Sequence, residues 1–215
     1  MSNDPISIIL ILSGLGFLPI IFILTTSFIK IAMVCILTRE SLGVQQVPPN
    51  IVIYGLSLIL SFYIMGPIYN NTYKLLSNDI LNNQAISAQS LISGLNSSSV
   101  PVKQFLLKHS QRTEREFFYQ SLKRYWTPEM LIDTKMDDFI ILVPAFMVSE
   151  LTQGFKIGFL IYLPSVIIDI IISNILMAMG MMMMSPVTIS LPLKLLLFVS
   201  IDGWSRLIKV LLSTY

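Results

Sequence analysis

The sequence predicts an all-α, membrane-associated protein: broken hydrophobic helical hairpins, about four apolar segments in all, plus one polar helical insert. Three observations predict it. Hydrophobic residues make up 54% of the chain and charged residues 12%, against about 25% charged in an average soluble domain. Several uncharged runs are long enough to cross about 30 Å of hydrocarbon. The charges gather in one place: residues 70–138 hold eight of the fourteen Lys+Arg, seven of the twelve Asp+Glu and the single histidine, His109. These divide the chain into an N-terminal apolar hairpin region 1–69, a water-facing helical insert 70–138, and a C-terminal apolar hairpin region 139–215. The net charge of +2 comes with no basic stripe, so no nucleic-acid partner is expected. Cys35 stands alone, which excludes an internal disulfide and suits an inert buried thiol.

Each element follows from its punctuation. The start lacks a positive n-region and an Ala-x-Ala-like site, so no cleaved signal peptide is expected. The first apolar segment, 6–38, is interrupted by Gly14, Gly16 and Pro19; lipid punishes unsatisfied backbone, so broken helices need protein cover. Lys30 could snorkel from its edge. A polar connection from Arg39 to Asn50 contains Gly43 and Pro48-Pro49 and reads as a helix end plus a rigid turn. Arg39 is either solvated there or bridges to a neighbouring chain. The second segment, 51–69, is expected to break at Gly66-Pro67.

Within the insert, 77–99 is rich in Ser and Asn and reads as loop or weak helix. The stretch 102–126 sets Phe105, Phe118, Leu122 and Tyr125 on one broad face, the pattern of an amphipathic helix. The last two apolar segments fall near 145–179 and 187–212. Asp169 lies deep in the third, where a carboxylate costs about 3 kcal/mol on insertion scales. It must pair, face water, or lie outside lipid. Lys194 poses the same problem in the fourth segment. Asp202 and Arg206, four apart, are at a favourable pairing distance on a helix. The Lys/Arg distribution places 30–50 on the cytoplasmic side, with both termini and the insert outside.

Between the last two segments, six methionines fall within the eight residues 177–184, half of all in the chain. Four in a row, Met181–Met184, exceed what one packed helix face can use, because neighbours point about 100° apart. Gly180 and Pro186 bracket the run, so it reads as a soft apolar loop between two helices. Thioether side chains mould to irregular surfaces, and such a loop could close a hole.

The chemistry of enzymes is missing. There is no Gly-x-x-x-x-Gly-Lys phosphate loop and no His-Glu-x-x-His. One His and one Cys do not make a metal site, so neither metal nor cofactor is expected and no residue is a catalytic candidate. An alternative reading is a small-solute or ion transporter that uses Asp169 and Lys194 as a midplane site; no internal repeat supports it.

Several stretches together resemble one family. They are Phe28-Ile29-Lys30-Ile31; Arg39-x-x-Leu42-Gly43-x-Gln45-Gln46-x-Pro48-x-Asn50; Val143-Pro144-Ala145 with Ser149-Glu150; and Phe155-Lys156-Ile157-Gly158-Phe159 through Tyr162-Leu163-Pro164 to Asp169. Met181-Met182-Met183-Met184-Ser185-Pro186 through Pro192, Lys194 and Asp202-Gly203-Trp204 complete the set. This resembles the FliP/SctR family of the type III secretion export gate, with an injectisome member favoured over a flagellar one. The resemblance implies a multi-pass protein of the bacterial inner membrane, with the insert periplasmic. It implies a homo-oligomer, a pentamer, assembled with SctS/FliQ-type and SctT/FliR-type subunits and lifted largely out of the bilayer plane. Unfolded secreted proteins would pass through its centre. Met181, Met182, Met183 and Met184 would form the pore gasket. Lys30, Arg39, Glu150, Lys156, Asp169 and Lys194 match charged positions of the family and are candidates for bridges between subunits.

Overall fold

The computed structural model describes residues 16–17, 19–44, 46–82, 98–132, 134–181 and 183–215, and for 76 and 78–82 the backbone alone. The first residues, where no cleaved signal peptide is expected, the interruption at Gly14 and most of the Ser/Asn-rich stretch 77–99 lie outside these residues. The described chain is helical, with no strand among those residues. Its helices are α1 (Pro19–Thr25), α2 (Phe28–Ser41), α3 (Asn50–Asn82), α4 (Val100–His109), α5 (Arg112–Tyr125), α6 (Pro128–Leu131), α7 (Phe139–Ala178), α8 (Pro186–Ser200) and α9 (Gly203–Ser213). Two are long and apolar enough to cross a membrane, α3 over Asn50–Leu75 and α7; α1 and α2 add a third only if taken together as one broken span. The protein is an all-α membrane protein.

Three expectations change. The helix does not break at Gly66-Pro67: α3 runs through Pro67 for 33 residues. A proline removes one backbone donor, and in apolar helices neighbouring groups and local adjustments make up the loss. The stretch 102–126 is two helices, because Ser110 and Gln111 are extended and separate α4 from α5. Of its expected apolar face, Phe105 is buried but Tyr125 is 79% exposed, and α5 buries nothing. The last segment, 187–212, is also two helices, split where Asp202 takes a left-handed conformation (φ 53°).

The chain forms two compact units, Met1–Ile29 with Met65–Glu150, and Lys30–Ile64 with Leu151–Tyr215. In the first, α4 packs on the start of α7: Leu106, Ile141, Leu142, Ala145 and Phe146 are fully buried, and the Phe105 and Phe146 rings meet at 5.6 Å between centroids. The break after α4 has a cause on α7. Ser149 Oγ accepts the Gln111 backbone N–H at 2.8 Å while donating to the Ala145 carbonyl at 2.7 Å, so the freed donor is satisfied where the helix stops.

In the second unit, Ile31, Val34 and Cys35 of α2 form a buried cluster with Ile53 of α3 and Leu207 and Leu211 of α9. Close packing, more than expulsion of water, holds apolar helices together in a bilayer, and small residues permit it. Gly154 and Gly158 supply that on α7: a Cβ at Gly154 would come within 2.7 Å of Met33 Cε, and one at Gly158 would overlap Leu37. The spacing Gly154-Phe155-Lys156-Ile157-Gly158 is therefore where α2 and α7 can approach closely. Asp202-Gly203-Trp204 makes the corner between α8 and α9. A Cβ on Gly203 would overlap the Phe198 ring, and Phe198 meets Trp204 edge-on at 5.6 Å.

Candidate functional site

The methionine run forms the tip of a helical hairpin within the second unit. α7 ends at Ala178 with Gly180 at φ +72°. The Met181 N–H donates to the Leu176 carbonyl and the Gly180 N–H to the Met177 carbonyl, each at 3.0 Å. This six-to-one and five-to-two pair, with glycine in the left-handed region, is the Schellman stop. The other leg begins with Pro186 in the first turn of α8, after an extended Ser185; proline suits that place because the N–H it lacks has no helical partner there. The loop expected between Gly180 and Pro186 is thus present. Met183 is fully exposed, and Met181 and Met184 are 37% and 44% exposed. Met182 lies outside the described residues.

Below the tip, Asp169 of α7 finds its partner. Lys194 Nζ of α8 lies 2.6 Å from Asp169 Oδ2, and Ser190 Oγ donates to Asp169 Oδ1 at 2.5 Å. Lys194 is buried and the Asp169 side chain about one-third exposed. The carboxylate has both oxygens occupied and the ammonium is neutralised within one chain, the condition for keeping charge in apolar surroundings. Ser190 and Lys194 sit four apart on one face of α8, so this staple fixes how the hairpin legs register. Sequence reasoning found the two charges and missed the serine; the four-residue spacing was the available signal.

The other charged candidates are scattered. Lys30 is fully buried; its Nζ donates to Gln153 Oε1 at 3.2 Å and stands 3.8 Å from the Tyr215 ring centroid, a cation–π arrangement. Arg39, buried, donates from Nη1 to Asn50 Oδ1 at 2.6 Å and to the Pro48 carbonyl at 3.2 Å. It therefore closes its own turn, with Gly43 at φ +77°. Glu150 is fully buried. Lys156 is exposed on α7 beside Phe155 and Phe159 and makes no ion pair among the described residues. Asp202 and Arg206 do not pair: Asp202 precedes α9 in its left-handed conformation, and its backbone oxygen, not its carboxylate, accepts the Arg206 N–H at 3.1 Å. No group of three or more His, Cys, Asp or Glu among the described residues could hold a metal ion.

Known proteins share this sequence along nearly its whole length. The sequence profile of the FliP family matches residues 11–211. The chain is 48% identical to "Yop proteins translocation protein R" of Yersinia pestis, over 99% of its own length and 97% of that protein. It is 45% identical to "Virulence protein YscR" of Salmonella typhimurium, over 100% of its length and 99% of that protein. It is 39% identical to "Harpin secretion protein HrcR" of Erwinia amylovora, over 99% and 97%. The residues from Phe28 to Trp204 that carried the resemblance all lie inside the matched region, and this chain belongs to the FliP family.

Proposed function

We propose that this chain is a pore-forming core subunit of a type III protein secretion export apparatus, whose methionine tip closes the channel around or behind unfolded substrates. The observation that carries the reading is the hairpin tip: three thioether side chains are exposed at one turn, while the turn is fixed at both ends and stapled below by Asp169, Ser190 and Lys194. A ring of such tips, from five copies, would present a deformable apolar constriction. Methionine adapts to differing polypeptides, and apolar constrictions gate by shedding water. The names of the relatives, which include translocation and secretion proteins, support the same assignment.

In this reading the protein sits in the bacterial inner membrane with SctS/FliQ-type and SctT/FliR-type subunits, and 70–138 faces the periplasm as a water-exposed insert. The 40 residues of α7 span ~60 Å at the helical rise, about twice the hydrocarbon thickness. So long a helix favours a subunit that stands partly out of the bilayer. Lys156, exposed in an apolar helix, is the strongest remaining candidate for a bridge to a neighbouring subunit. The carrier reading is weakened because Asp169 and Lys194 already satisfy each other.

The experiment is conductance of the purified, reconstituted assembly with Met181–Met184 replaced by Ser and Gly. The expected result is an open ion leak with subunit composition unchanged. An assembly that forms and stays electrically tight would overturn the gasket role.

A further inference from the structure

A groove of about 380 Å³ lies in the second unit between α2, α7, α8 and α9. Its walls are apolar, with Leu160, Ile161, Ile168, Leu197, Phe198 and Leu207 prominent, and two cations line it, Lys194 and Arg206. The cations differ. Lys194 is held by Asp169 at 2.6 Å. Arg206 is exposed and makes no ion pair among the described residues, although Asp202 is only one turn away. Lys209, also exposed, follows Arg206 by three residues on α9. An apolar slot therefore leads to an exposed guanidinium, whose five donors match a phosphate.

Chemistry selects the occupant: the apolar walls suit an alkyl chain, and Arg206 on the same groove suits an anionic headgroup. Basic pockets between membrane helices hold anionic lipid headgroups. We propose that this groove seats one acyl chain of an anionic phospholipid, with the lipid phosphate on Arg206. The inference is independent of the pore reading, since it concerns a groove beside one hairpin and not its tip.

The test uses the full chain, purified as its complex into nanodiscs containing phosphatidylglycerol or phosphatidylcholine, with retained lipid counted by native mass spectrometry after delipidation. Wild type is expected to keep phosphatidylglycerol in preference to phosphatidylcholine. Arg206→Ala should retain about fivefold less, the value of one cation at a membrane surface, and Arg206→Lys should keep most of it. Leu160→Trp, which fills the slot from an exposed position, should displace the lipid while helicity and thermal midpoint stay unchanged. Equal retention of the two lipids, or retention indifferent to both Arg206→Ala and Leu160→Trp, would overturn the proposal. So would a photocrosslinker at position 160 that captures polypeptide in place of lipid.

Discussion

The turn at 42–50 and the turn at 179–185 both lie in the second unit and each joins two helices, and they are held by different means. In the first, a buried guanidinium reaches across: Arg39 binds both the Pro48 carbonyl and Asn50, so a side chain fixes the interior of the turn. In the second, the bonds come from backbone at the two ends, Met181 to Leu176 and Gly180 to Met177 on one side and Thr188 to Ser185 on the other. The side chains of Met181, Met183 and Met184 are exposed and take no part in those bonds. One turn spends its side chains on structure, and the other leaves them free to meet something else.

That contrast can be broken or sharpened by substitution. The largest effect is expected at the staple. Asp169→Ala strands Lys194, which is buried, and breaking such a pair costs about 3 kcal/mol; thermal unfolding of the detergent-solubilised chain would show it. A double change to Asp169→Leu and Lys194→Leu should recover most of the loss, and failure to recover would mean that the charges do more than neutralise each other. Next comes Arg39→Lys, which replaces a planar fork by a point charge and should cost about 2 kcal/mol, typical of hydrogen bonds from a charged donor. If Arg39→Lys unfolds at the wild-type midpoint, the first turn is not held as described. Met183→Ser should change stability by less than about 0.5 kcal/mol, as for an exposed position, while raising ion leak in the assembled complex.

The smallest effect is in the first unit. Asp137 accepts a charged hydrogen bond from Lys103 at 2.8 Å, and that bond holds its carboxyl below the ordinary value of 3.8. A depressed carboxyl stabilises the fold above its unfolded pKa, and that contribution disappears as pH falls through the folded value. Both groups are partly solvated, so the contribution is small. Asp137→Asn should remove it at neutral pH, and the difference from wild type should vanish once pH has fallen through the depressed folded value. A constant difference across the acid range would contradict the ion pair.

Much of the site could be read from the residues. Gly180 and Pro186 announced the ends of the methionine turn because each has a backbone property no other residue shares, and Asp169 announced a partner because an isolated carboxylate in an apolar run is costly. What could not be read depended on neighbours distant in sequence. The stop after His109 rests on Ser149, which lies 38 residues beyond Gln111. The corner at Asp202 exists because Gly203 lets the Phe198 ring lie against its backbone. Pro67 looked like a helix end and is not one, because a local penalty is outweighed along a 33-residue helix. The Gly154-to-Gly158 spacing was visible in the sequence, but its meaning needed the α2 side chains Met33 and Leu37.

Since the Gly180 stop recruits amide and carbonyl groups alone, the identity of the residues at the crest is uncoupled from whether the hairpin folds. The crest can then drift or be re-engineered toward wider, narrower or more polar cargo without a compensating change elsewhere in the subunit. The Arg39 turn has no such latitude, and a graft exchanging the two crests should fold in only one direction.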